Sequence, residues 1–178
     1  MEKVKSLKGS VSTLLLGILL ISGCASTQDS YHIRLNVIDH KPHCGGAFPT
    51  PEQVNGTDEA VTGEVFGLIS GETFSDSIHE PTLLHLDEEG VCNVNLAPGT
   101  YSLVLLDKWM ESSSFMKKYS AYDAQLYKVK DATCFETWRN SIDFSFHISR
   151  DSVVSFVRQH KCYTGTNPCL EYIGPKAP

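Results

Sequence analysis

From residue 31 onward the chain keeps a two-residue hydrophobic period, and that rhythm restricts its fold more than any other feature. Residues 31–39 alternate Ile33, Leu35 and Val37 with His32, Arg34 and Asn36. Successive side chains of a strand point to opposite faces, so this stretch reads as a strand with one buried face. Residues 61–69 are rich in β-formers, and 82–86, 91–96 and 101–106 follow at short intervals, separated by "DEEG" and "APG". Ile142, Phe144, Phe146 and Ile148 fall on one face of the next segment. In 153–160, Val154, Phe156 and Arg158 share one face, and Val153, Ser155 and Val157 the other. About seven short strands with turn residues between them predict an all-β fold, an antiparallel β-sandwich.

The segment 109–131 departs from that rhythm. Phe115, Met116, Tyr119, Tyr122 and Leu126 have partly helical spacing, which predicts a short helix or an ordered loop across one sandwich edge. "TCFETWRN" at 133–140 predicts a further helical turn with Trp138 packed inward. Long loops on a rigid scaffold often carry binding, and aromatic side chains offer much contact area at little entropic cost. Trp109, Tyr119 and Tyr122 are therefore candidate contact residues. Loop packing is the plainer reading of the same residues.

The N-terminus is of a different kind. Lys3, Lys5 and Lys8 face a single Glu2, and an apolar run over 11–21 is broken only by Ser12, Thr13 and Gly17. A membrane span needs about 20 apolar residues and this run has roughly half that, so it reads as a secretory signal. Its end, Ile21-Ser22-Gly23-Cys24, resembles the lipobox of bacterial lipoproteins. The resemblance implies cleavage between Gly23 and Cys24, a diacylglycerol thioether on the Cys24 sulfur, and an acyl chain such as palmitate on the new amino group. Each buried methylene contributes roughly 0.8 kcal/mol, so several chains hold where one does not. Family members with Asp directly after the cysteine stay in the inner membrane. Ala25 stands there instead, which implies the outer membrane. The expected division is a signal peptide at 1–23, a lipidated tether at 24–30 and one sandwich domain at 31–178, a size usual for one core.

Removing residues 1–23 takes three lysines and one glutamate from the 15 basic and 21 acidic residues, leaving 12 against 20. That balance offers no basic face for nucleic acid, and the scattered acids read as a solvated surface. Five cysteines remain besides Cys24. An exported chain meets an oxidising compartment, so Cys44, Cys134, Cys162 and Cys169 are expected to form two bridges. The tight "YTGTNP" loop favours 162–169, which leaves 44–134. Cys92, mid-strand, is the expected unpaired buried thiol.

"DEEGVCNVNLAPGTYSLVLLDKW" is similar to the carboxypeptidase regulatory-like, or transthyretin-like, sandwich domains. The matching features are the turn closed by Gly90, the inward positions Cys92, Val94 and Leu96, the Pro98-Gly99 turn, and Thr100-Tyr101 opening the next strand. "VTGEVFG" at 61–67 fits the strand that opens such a domain. The resemblance implies a fold and no reaction.

"HKPHC" places His40, His43 and Cys44 within five residues, donors suited to zinc or copper. The site requires a free Cys44 or further donors brought in by folding, and no second cluster supplies them at recognisable spacing. No Gly-x-Ser-x-Gly elbow, His-Glu-x-x-His helix or phosphate-binding loop occurs. The sequence therefore predicts a non-enzymatic, lipid-anchored binding or assembly module with no cofactor, facing another envelope protein or a glycan. A metal-handling lipoprotein using His40, His43 and Cys44 is the alternative.

Overall fold

The computed structural model describes residues 30–46, 48–73 and 80–175; Gly23, Cys24 and the tether up to residue 29 lie outside them. Strand is the main regular structure of the described residues: β1 (Tyr31–Lys41), β2 (Thr57–Ala60), β3 (Val65–Ser70), β4 (Thr82–His85), β5 (Val91–Leu96), β6 (Gly99–Leu105), β7 (Tyr127–Val129), β8 (Phe144–Ile148), β9 (Ser152–Gln159) and β10 (Leu170–Tyr172). Helical pieces are α1 (Pro51–Val54), a 3-10 turn (Leu106–Trp109), α2 (Ser112–Tyr119) and α3 (Cys134–Arg139). A strand stands at each of the seven stretches with a two-residue period. Strands β2, β7 and β10 are three or four residues long, and alternation does not single them out. Helices occur at both places expected between 109 and 140, and Trp138 packs against Phe115 and Tyr119.

In the first sheet β1 is central. Strand β5 pairs antiparallel with its first half and β2 with its last residues, while β9 lies along the other edge. The hand-over falls at Val37, whose N–H donates to Gly90 O (2.9 Å) and whose carbonyl accepts from Val61 N (3.1 Å). Gly90 has φ +73°, and a Cβ there would lie 2.8 Å from Val37 O and 3.0 Å from Val61 N, so only glycine fits this junction. The second sheet runs β4-β3-β6-β8, all antiparallel, and β7 and β10 form a separate ribbon.

One expectation fails here. Strand β9 runs parallel to β1, with Ile33 opposite Ser152 and His40 opposite Gln159, so the first sheet is not purely antiparallel. A parallel partner needs a long crossover, and the chain between β1 and β9 supplies it, building the whole second sheet and returning to the first as β2 and β5 on the way.

The inner faces of the two sheets share one core. Ile33, Leu35, Val37 and Phe156 meet Phe66, Leu68, Leu84, Leu103 and Ile148. The Phe156 ring meets Phe66 edge-on at 6.2 Å and stacks on Phe144 at 5.0 Å. Each such buried side chain contributes roughly 1.5–3 kcal/mol. Cys92 is unpaired among the described residues and half-buried rather than buried; burial and the Asp87 charge push its thiol up. At the turn into β6, the Tyr101 hydroxyl donates to Ala97 O (3.0 Å), a closure of the tyrosine-corner kind seen in sandwiches.

The strand directions give the molecule two unlike poles. At one, the chain enters β1 and the short connections β5–β6 and β8–β9 turn. At the other, about 33 Å along β1, β1 and β9 exit together and the 3-10 turn, α2, α3, β7 and β10 form a cap. His160 N donates to His40 O (2.9 Å), extending the parallel pairing past the strands. Cys44 and Cys162 consequently meet, with Cα atoms 5.2 Å apart, and form a disulfide. The second disulfide joins Cys134 at the start of α3 to the buried Cys169, which β10 brings against β7. Both expected pairings, 162–169 and 44–134, are therefore replaced. Strand neighbours, and not proximity in sequence, decide which sulfurs touch.

Candidate functional site

The cap holds a cleft of about 520 Å³ between the exits of β1 and β9, the start of β3, and α2. Its polar wall is built on Arg158. Asp39 and Arg158 stand directly opposite each other in the β1–β9 register, both at the end of an inward face. The guanidinium donates Nε to Asp39 Oδ1 (2.6 Å) and Nη2 to Asp39 Oδ2 (3.0 Å). It also donates Nη1 to Glu64 Oε2 (2.7 Å) and Nη2 to Glu64 Oε1 (3.1 Å), and lies 5.9 Å from the Phe66 ring centre. Arginine's planar fork suits this double bidentate geometry; lysine's point charge does not.

His160 Nε2 lies 3.0 Å from Asp39 Oδ2, near enough for charge attraction but off the direction a ring N–H needs for a hydrogen bond. Burial pushes the Asp39 carboxyl up, yet the hydrogen bonds and charge of Arg158, with His160 close by, hold it below its ordinary value. Burial also works against the Arg158 charge, and the two carboxylates more than offset it.

The opposite wall is Asp107 with α2. Asp107 Oδ2 accepts from the Tyr119 hydroxyl (2.6 Å) and from Lys118 Nζ. Burial opposes the Asp107 charge, but these two donors hold its carboxyl low. The Tyr119 phenol is pushed well above its ordinary value by burial and by the Asp107 carboxylate it donates to. Val65, Leu105 and Leu106 supply apolar surface between the walls.

Of the aromatic contact candidates, Tyr119 lines this cleft. Trp109 packs elsewhere: a Cβ added to Gly67 would lie 3.1 Å from its Nε1 and 2.9 Å from Pro81 Cβ. Tyr122 is half-buried beyond the end of α2. Neither Trp109 nor Tyr122 lines the cleft beside Tyr119.

The metal candidates lose their sulfur. Cys44 is bonded to Cys162, and a disulfide sulfur is a poor ligand. His40 Nδ1 is 2.7 Å from Asp58 Oδ1, while His43 Nε2 is buried without a hydrogen-bond partner. No group of three or more metal-suited side chains gathers among the described residues.

Two features were hidden from the sequence. Arg158 at an inward position of an apolar strand is a signal, because a buried guanidinium demands carboxylates nearby, but it does not say which. Lys108 gives no signal at all. It is fully buried, and Nζ donates to Asp143 Oδ1 (2.7 Å), Ser141 O (3.0 Å) and Ser141 Oγ (3.2 Å), 5.8 Å from the Trp138 ring centre. Burial pulls the ammonium's pKa down and the Asp143 carboxylate works to keep it charged. A serine beside a lysine invites comparison with a nucleophile and its base. Here the ammonium donates to Ser141, the Ser141 hydroxyl donates to Trp138 O (2.7 Å), and the lysine is out of a substrate's reach. The group ties the 3-10 turn to the approach of β8.

Comparison of the chain with protein-family models, with curated proteins and with solved structures returns no match.

Proposed function

We propose that this chain is a lipid-anchored envelope protein, a non-enzymatic module that displays its cap to another envelope component from the outer membrane. The observation that carries the reading is the separation of the two poles. The chain following Cys24 joins β1 at one end, and the cleft, both disulfides and the three helices lie toward the other. A tether at the first pole leaves the cap facing away from the membrane. The two disulfides also suit an oxidising compartment.

The finer fold reading is a transthyretin-like sandwich. It is supported by Gly90 at a junction where only glycine fits, by Val94 and Leu96 facing the core, and by the Tyr101 closure after Pro98-Gly99. In the cleft the ionised groups are engaged with one another, as suits recognition more than bond-making.

The test is expression of the full chain and of Cys24→Ser in a bacterium with two membranes, followed by membrane fractionation and intact mass. The native chain is expected in the outer-membrane fraction, starting at residue 24 and carrying diacylglycerol and acyl mass. Cys24→Ser is expected to lose both the lipid and the membrane. A native chain cleaved elsewhere, with Cys24 a free thiol, overturns the reading.

A further inference from the structure

We infer that the cap cleft is a binding site for a small zwitterion, a free amino acid or short peptide whose ammonium meets the carboxylate wall while its carboxylate meets Lys118. The inference deepens the binding-module reading above. It rests on the cavity together with the hydrogen-bonding capacity its walls leave unspent.

The cavity's volume, about 520 Å³, lies within the roughly 300–1,000 Å³ of small-molecule sites. Glu64 accepts one hydrogen bond on each oxygen, both from Arg158, although each oxygen has two lone pairs. Among the described residues Asp107 takes both of its side-chain donors on Oδ2 and none on Oδ1. These oxygens are acceptors for an ammonium. On the donor side, Lys118 uses one of its three N–H groups on Asp107, and half of its side chain is exposed at the rim.

The signs of charge then select the ligand. A simple anion entering the cleft meets Asp39, Glu64 and Asp107. A simple cation meets Arg158 and Lys118. A molecule with both charges matches both, and a side chain on it covers Val65, Leu105 and Leu106. A neutral polyol satisfies some of the lone pairs but makes no use of Lys118.

The experiment is titration calorimetry on the full chain, purified in detergent with its disulfides intact. The probes are alanyl-alanine, propylamine, propionate and glucose. Alanyl-alanine is expected to bind, and to bind more tightly than propylamine or propionate. Glu64→Gln and Lys118→Gln are each expected to weaken it by about tenfold, the worth of one charge-assisted hydrogen bond. Both variants replace partly exposed groups, and an unchanged unfolding midpoint verifies that the fold is kept. Absence of alanyl-alanine binding overturns the inference, as does equal binding of propylamine alone, binding of glucose, or indifference to both substitutions. Each of those results leaves the lipid anchor and the membrane-distal cap standing, because fractionation of Cys24→Ser tests them separately.

Discussion

Arg158 and Asp39 face each other across the β1–β9 pair, joined by Nε–Oδ1 at 2.6 Å and Nη2–Oδ2 at 3.0 Å, with 14% and 15% of their side chains exposed. The pair forms where the two strands leave the core, and Glu64 closes it from the second sheet. One guanidinium thus links both sheets at the cap pole. Its worth is read from what remains when it is removed.

Arg158→Ala is expected to destabilise the protein by about 3 kcal/mol, because the poorly hydrated Asp39 carboxylate loses its cation and the more exposed Glu64 loses its partner. Arg158→Lys is expected to recover only part of this, since an ammonium cannot bond both carboxylates in parallel forks. Urea unfolding of the three proteins measures it. A lysine variant as stable as the native chain would show that charge alone, and not the fork, matters here.

The cleft makes stability depend on pH at both ends of the scale. The folded Asp39 and Asp107 carboxyls lie below their ordinary value of 3.8, so their contribution is complete above it and fades as the pH falls through the lower folded values. Tyr119 is shifted upward. Above about pH 10 the unfolded phenol ionises while the folded one stays neutral, so stability declines there. Asp39→Asn is expected to flatten the acid limb of a stability-against-pH curve and Tyr119→Phe the alkaline limb. A Tyr119→Phe curve parallel to the native one above about pH 10 would count against the hydrogen-bonded phenol.

Lys108 separates packing from charge. Lys108→Ala removes a buried stem and leaves Asp143 without its cation, at a cost of about 3–5 kcal/mol. Lys108→Met keeps the stem, and the difference between the two variants measures packing. Asp143 retains the Leu105 N–H (2.6 Å) in either case. Denaturant midpoints of both variants check this.

The two disulfides close loops of unequal length, with sequence separations of 118 and 35. Replacing Cys44 and Cys162 by serine is expected to cost about 5 kcal/mol, and replacing Cys134 and Cys169 about 4 kcal/mol, if loop entropy in the unfolded chain dominates. Peptide mapping without reductant should first recover the 44–162 and 134–169 pairs. An order of stabilities opposite to loop length would place the effect in the folded cap instead.

The strands were legible because alternation is local. Ile33, Leu35 and Val37 sit in the core where the period puts them, and Gly90, Pro98 and Gly99 mark turns by their backbone preferences. The helices near Tyr119 and Trp138 were legible for the same reason, through helical spacing. The cleft was not. Tyr119 was singled out for its area, whereas its cleft partners Asp107, Lys118 and Glu64 are ordinary charged residues whose neighbours are set by folding.

By itself the sequence determined the mostly-β class and the position of seven strands, since each depends on residues close along the chain. Tertiary structure alone decided that β9 lies parallel to β1. From that one pairing follow the Asp39–Arg158 contact, the Cys44–Cys162 bond and a cap opposite the entry of the chain. The physical reason is that strand pairing joins residues more than a hundred positions apart, and no local preference carries information over that distance.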